Sequence, residues 1–260
     1  MMTTAYNIER YHLIDSMPPG TTGQSFRAWD SKTRQTVVLK QLVTAPELLN
    51  FRTSGHFRNF SVEFKYECDL LAHLNHPNIV ATYDAGFTAQ GVPFVATPYL
   101  NRARAITRAA QAMHMAGRLR LFWQLVSAVD YLHRHGVIHR NLKPTNVLVD
   151  RGRVHVVDVG LGVSPVSVPK AERRGVAPEL LMGRSPSVQS DLYALGCLGY
   201  GMLVGDVDVA SCAAGHVDVW ATGLDYKLAA ILDELLDCRP HRRYASTAQV
   251  LEDLRRVDEY

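Results

Sequence analysis

The chain has 260 residues, 47% of them hydrophobic and 20% charged, enough apolar material for one domain or two joined lobes with a buried core. A net charge of +3 gives no argument for nucleic acid or a membrane surface, and no apolar run approaches the ~20 residues that cross a bilayer. The start Met1-Met2-Thr3-Thr4 lacks a signal-peptide pattern, and Cys68, Cys197, Cys212 and Cys238 stand apart with no CxxC pair. They read as reduced structural thiols rather than metal ligands or disulfides, and the expectation is a soluble, cytoplasmic protein.

Residues 8–45 read as strands. Tyr11-His12-Leu13-Ile14 opens, a Pro/Gly/Thr turn follows at 18–23, and Thr36-Val37-Val38-Leu39 is a β-branched run. Over 58–74 the period changes: Phe60, Phe64, Glu67, Leu70, Leu71 and Leu74 share one face of a helix, which Pro77 stops. Two strand-like runs, 79–84 and 92–97, complete a small sheet. From about 119 the pattern is helical. Leu121, Leu125, Ala128, Val129 and Leu132 mark a long helix that Gly136 caps, with His133 and His135 read as surface residues near its end. Short apolar runs at 137–139, 147–149 and 154–157 precede helices at roughly 188–204, 226–237 and 246–257. The coarse reading is α+β: an N-terminal arm (1–8), a small β-rich lobe (9–97), a hinge (98–101) and a larger helical lobe (102–260). A cleft between two lobes is a favoured ligand site.

One octapeptide narrows this. His139-Arg140-Asn141-Leu142-Lys143-Pro144-Thr145-Asn146 resembles the catalytic loop HRDLKxxN of the protein kinase superfamily, with one substitution. Asp158-Val159-Gly160 follows as a DFG-like element and Ala177-Pro178-Glu179 as an APE element. Lys40 ends a strand as the family's β3 lysine does, and Glu67 lies nine residues before His76, where the αC glutamate falls. Ser190-Asp191 is similar to the αF start, and Arg243 to the late arginine that pairs with the APE glutamate. In this order and spacing, over residues 9–257, the motifs resemble a bacterial-type (Hanks-type) serine/threonine protein kinase.

The resemblance implies a two-lobed kinase fold with ATP and Mg²⁺ as ligands. Phosphoryl transfer rests on positioning and on neutralising phosphate charge. Lys40 would hold the α/β-phosphates, oriented by Glu67, while Asn146 and Asp158 offer oxygens suited to Mg²⁺. Lys143 would sit near the γ-phosphate. Adenine would meet Val38, Leu148, the gatekeeper Thr97, and hinge groups at Pro98 (C=O) and Leu100 (N–H), under a glycine-rich loop that keeps Gly20 and Gly23. His139 is expected to pack and hydrogen-bond rather than react; Asp191 should bind the catalytic-loop backbone, and Glu179 should pair with Arg243.

Several positions depart from the family. Asn141 replaces the aspartate that accepts or orients the substrate proton; an amide is no useful base, and losing one costs ~10²–10⁴-fold. Pro18 replaces the first loop glycine, Ser25 the β2 valine over adenine, and Val38 a smaller residue. Arg104 falls near the place where an acid meets the ribose. Only 16 residues separate Gly160 from Ala177, and Glu172 stands where a threonine contacts the catalytic aspartate. Arg140 has no evident phosphosite to bind. Asn141 and Glu172 together remove both ends of the hydroxyl–base contact.

These readings favour a pseudokinase: a kinase fold with little or no phosphotransfer that binds ATP weakly or not at all and regulates or scaffolds a protein partner. The alternatives are an active serine/threonine kinase of low turnover, a small-molecule phosphotransferase of related fold, and an active enzyme disabled by an engineered Asn141.

Overall fold

The computed structural model describes residues 10–18, 23–42, 68–160, 175–205 and 219–257. The chain divides into two compact units, residues 1–75 with 80–101 and residues 76–79 with 102–260.

The first unit is built on an antiparallel sheet of five strands: β1 (Tyr11–Ser16), β2 (Gly23–Asp30), β3 (Gln35–Leu42), β4 (Asp84–Phe87) and β5 (Pro93–Pro98), in the order β1-β2-β3-β5-β4. Period-2 alternation sorts each strand's side chains between two faces. Tyr11, Ala28, Val37, Leu39, Phe94 and Ala96 form the buried core of one face. The register sets Ser25 opposite Lys40, Arg27 opposite Val38, and Val38 opposite Thr97, so these five share the other face. Arg10 ties three strands together, with Nε and Nη2 on the Asp30 carboxylate (2.6 and 2.5 Å) and Nη1 on Asp84 at 2.9 Å. Tyr11 donates to the same Asp84 oxygen at 2.8 Å. The bond from Arg10 holds the fully buried Asp30 well below the usual carboxylate range.

Two expectations for this unit need correction. The fourth strand begins at Asp84 instead of spanning 79–84. Residues 76–79 belong to the other unit because Asn78 is consumed there: its Nδ2 donates to Gln124 Oε1 and Val154 O, and its carbonyl accepts from Val156 N–H. The amphipathic segment 58–74 is helical over 68–72, and Pro77 does not stop it, since the helix has already tightened into i→i+3 bonds at His73 and Leu74. Residues 58–67 lie outside the described residues.

The second unit is mostly helical, with α1 (Ile106–Gln111), α2 (Met115–Arg134), α3 (Pro178–Leu181), α4 (Val188–Leu203), α5 (Tyr226–Leu235) and α6 (Thr247–Val257). A small sheet of β6 (Arg104–Ala105), β7 (Val147–Asp150) and β8 (Arg153–Val156) crosses it. Helix α1 carries no sequence motif; Ile106, Ala109 and Ala110 bury its inner side. Helix α2 closes with Val137 N–H on Leu132 O and Gly136 N–H on His133 O, a Schellman-type end. Helix α4 opens with a reciprocal cap, Ser187 N–H on Ser190 Oγ and Ser190 N–H on Ser187 Oγ. Nearly every residue of α4 is buried, so it forms the unit's apolar axis. No described helix is long and apolar enough to cross a membrane.

Candidate functional site

In the second unit the loop 139–146 is held from beneath by Asp191, in the first turn of α4. Asp191 accepts from His139 N–H (Oδ2, 2.8 Å) and Arg140 N–H (Oδ1, 3.1 Å). A third partner, His133, places Nε2 2.9 Å from Asp191 Oδ2, and its Nδ1 lies 3.3 Å from the Thr247 hydroxyl. The side chain of His133 is 7% exposed. The surface reading of His133 is therefore wrong: it lies on the inner side of α2, where α4 and α6 both reach it. His135, two residues further along, is exposed and packs on Tyr131, as a surface residue would.

His139 is fully buried, and both ring nitrogens are used. Nε2 donates to Val157 O at 3.1 Å and Nδ1 accepts from Asn141 N–H at 3.3 Å. This pattern requires the neutral ring, and burial lowers its pKa below the ordinary 6.5. Arg140 and Asp158 both adopt positive φ, 70° and 60°. Such backbone is uncommon outside glycine and clusters at functional loops.

Asn146 is buried, with Nδ2 donating to Asn141 O at 2.8 Å. That bond fixes the amide and leaves Oδ1 as the end that can face a cation; the Thr145 hydroxyl approaches it only at 3.5 Å. Val157 N–H binds Asn146 O at 3.0 Å, joining this loop to the strand that leads into Asp158. Among the described residues no three His, Cys, Asp or Glu side chains cluster for a metal. Asn146 and Asp158 thus fit a hard ion such as Mg²⁺ that takes its other ligands from phosphate and water, and do not fit a protein-only metal cage.

Asn141 stands apart within this well-bonded loop. Its Nδ2 is buried and meets no acceptor among the described residues. A buried unmade donor costs ~1–3 kcal/mol. Leu148, on β7, is half-buried opposite Ala105 and His155.

Further along, Pro178 opens α3 and presents Glu179 to Arg243. The pair is bidentate and buried, Nη1–Oε1 2.7 Å and Nη2–Oε2 2.8 Å. Arg243 also donates to Gln189 O and Asp237 O, and lies 4.8 Å from the Tyr193 ring centre.

In the first unit, Gly23 starts β2 opposite Leu42, and Lys40 is 6% exposed between Ser25 and Val95. Val38 and Thr97 face each other, Pro98 ends β5 opposite Val37, and Leu100 follows. Sequence reasoning missed Arg27. The signal was present, because Arg27 lies two residues from Ser25 and so shares its face. Gly20, Glu67 and Glu172 lie outside the described residues, as does Cys212. Among the described residues Cys68, Cys197 and Cys238 form no disulfide.

A family profile described as protein kinase domain matches residues 11–253. The serine/threonine-protein kinase PknB of Mycobacterium leprae is 27% identical over 99% of this chain and 44% of its own length. A probable serine/threonine-protein kinase of Streptomyces coelicolor is 28% identical over 94% of this chain and 39% of its own. The chain spans less than half the length of these relatives. Among solved structures, the PknI kinase domain of Mycobacterium tuberculosis superimposes with a TM-score of 0.73 at 21% identity, covering 100% of both chains. A Rad53 structure in complex with AMP-PNP gives 0.73 at 20% identity over 95% of this chain and 65% of that one.

Proposed function

This chain belongs to the protein kinase domain family, with a sheet unit and a helical unit that have the kinase fold, and we propose that it works as a pseudokinase. It regulates or scaffolds a protein partner and transfers little or no phosphate. The observation that carries this reading is Asn141. The loop scaffold is intact, anchored at two backbone amides and a histidine, yet the residue it presents is an amide that takes up no proton. No nucleic-acid partner and no membrane anchorage enter the proposal.

If nucleotide binds, Lys40 would meet the phosphates, and Asn146 with Asp158 would hold Mg²⁺. The ion would neutralise phosphate charge. Val38, Leu148, Thr97, Pro98 and Leu100 would meet the base. Arg27 and Ser25 share the face of Val38 and Lys40, so a charged and a polar group lie where an apolar ceiling suits adenine. ATP binding is therefore weak or absent, although the Rad53 structure of related fold is a complex with AMP-PNP. The expected Kd for Mg-ATP is weaker than about 10 μM, roughly −7 kcal/mol.

A second reading, an active serine/threonine kinase of low turnover, draws on the fixed Asn146 amide and on the retention of Lys40, Lys143 and Asp158. One assay separates the two: transfer of labelled γ-phosphate to the chain itself or to a generic protein substrate, with Asn141→Asp alongside. Robust transfer by the unaltered chain overturns the pseudokinase reading.

A further inference from the structure

The first unit carries a concave feature on its sheet. A groove of about 570 Å³ is lined by Ile14 of β1, Arg27 and Trp29 of β2, Arg34, Gln35 and Thr36 at the β2–β3 turn, and Pro98, Tyr99 and Asn101 after β5. Trp29 stands opposite Thr36, on the same face as Arg27 and Val38. Trp29 is 40% exposed, and Ile14, which also lines the groove, is 51% exposed. Large apolar side chains left open together in one groove mark an interaction surface more often than isolated ones do.

The polar groups are set in place beforehand. Arg27 is clamped, with Nη2 on the Asp15 carboxylate at 2.5 Å and its guanidinium 5.6 Å from the Tyr99 ring centre. Its Nε is buried and has no acceptor among the described residues. Arg34 holds a left-handed backbone, φ 56°, at the turn, and its side chain is exposed. Among the described residues no acidic side chain lines the groove, so its two cations outweigh Asp15 beside it. Trp, Tyr and Arg are the residue types that dominate binding hot spots, and here all three converge inside a rim of amide and hydroxyl groups. The groove is open along the sheet instead of enclosing its contents, which suits an extended segment better than a small molecule that must be mostly buried.

We propose that this groove docks an acidic peptide segment of a partner protein, with an aromatic or leucine side chain against Trp29 and Tyr99 and flanking carboxylates on Arg34 and Arg27. The proposal rests on the partner-binding reading above and names the partner's chemistry. It does not depend on whether the chain transfers phosphate.

The test is selection from a random dodecapeptide library displayed on phage, with the whole 260-residue chain as bait and Trp29→Ala and Arg34→Glu chains as counter-baits. Both positions are partly or fully exposed, so melting temperatures should match the parent and show that the counter-baits fold. The expected result is enrichment of Asp/Glu-rich peptides bearing one aromatic or leucine. Their synthetic versions should bind at least tenfold more weakly to either variant, and more weakly again as salt is raised. Selected peptides that are basic or uncharged, or that bind the parent and both variants alike, overturn the proposal, as does a failure to enrich over the counter-baits. Running the γ-phosphate assay on the same preparation keeps the two readings distinguishable: transfer with peptide selection intact removes the pseudokinase reading and leaves the groove, and the reverse pattern does the opposite.

Discussion

Glu179 and Arg243 meet edge to edge, two parallel N–H···O bonds of 2.7 and 2.8 Å in a setting where both side chains are almost fully buried. Removing one partner strands the other charge away from water, which costs about 3–5 kcal/mol. Glu179→Ala is therefore expected to lower the melting temperature by roughly 6–15 °C for a chain of this size. The double change Glu179→Leu with Arg243→Leu should recover much of that loss, because it removes both charges together. Thermal unfolding of the three proteins decides the point. A single variant within about 1 °C of the parent would show that the pair stabilises nothing.

Acid should weaken the fold near pH 6 through His139. Its folded pKa lies below 6.5 because the ring is buried; the nearby charges of Asp191 and Asp158 oppose the shift without reversing it. The unfolded chain therefore binds a proton that the folded chain refuses. Stability is complete above pH ~6.5 and falls by up to about 1.4 kcal/mol per pH unit below it. His76 and His155, shifted the same way by burial, add to that slope. Asp30 acts in a separate window: its lowered pKa contributes stability above its ordinary 3.8 that disappears only at lower pH. Urea midpoints between pH 7.5 and 5.5 should drop for the parent and flatten for His139→Gln. An equal slope in both would assign the effect elsewhere.

The strand and helix types were legible because the β-branched run Thr36–Leu39 and the 3.6 period of Leu121–Leu132 separate cleanly. The loop 139–146 was legible because its residue order resembles the kinase catalytic loop. The strand at Asp84 was misplaced because Ile79 and Val80 look like strand residues, while the deciding bonds come from Asn78 to Val154, 76 residues away. His133 was misread for the same reason: helix-end position favours an exposed histidine, and only the distant Asp191 and Thr247 draw it inward. Helix α1 escaped notice because six residues give too short a period to detect.

Gly23 should be irreplaceable for steric reasons. A Cβ there would sit 2.0 Å from the Gln41 carbonyl oxygen and 3.0 Å from Leu42 Cα, both backbone atoms of the paired strand. The β2–β3 ladder would have to part at that end, a cost on the order of 1–3 kcal/mol. Gly152→Ala is the control: its turn has φ +77° and nothing within 4 Å, so only the left-handed strain of about 1–2 kcal/mol applies. In the chain's own unfolding, Gly23→Ala is expected to be at least as destabilising and also to reduce any thermal shift with Mg-ATP. Gly152→Ala should leave that shift alone.

Restoring the base should not restore an enzyme. If Asn141 were the only defect, Asn141→Asp would raise phosphotransfer by the ~10²–10⁴-fold that a positioned base contributes. A smaller gain is expected, for two reasons. The Nδ2 position is buried, so an oxygen placed there is a carboxylate partly removed from water, which raises its pKa. The sheet face with Ser25, Arg27 and Val38 would still hold nucleotide poorly, and no change at position 141 repairs that. A companion measurement isolates the first reason. Asn141→Ala removes a buried donor that has no acceptor among the described residues and should cost little stability, whereas Asn146→Ala breaks the 2.8 Å bond to Asn141 O and should cost about 1 kcal/mol or more. Kinetics of Asn141→Asp at saturating Mg-ATP then decide the wider claim: a gain of a hundredfold or more would mean a kinase disabled at one side chain, and the pseudokinase reading would fall.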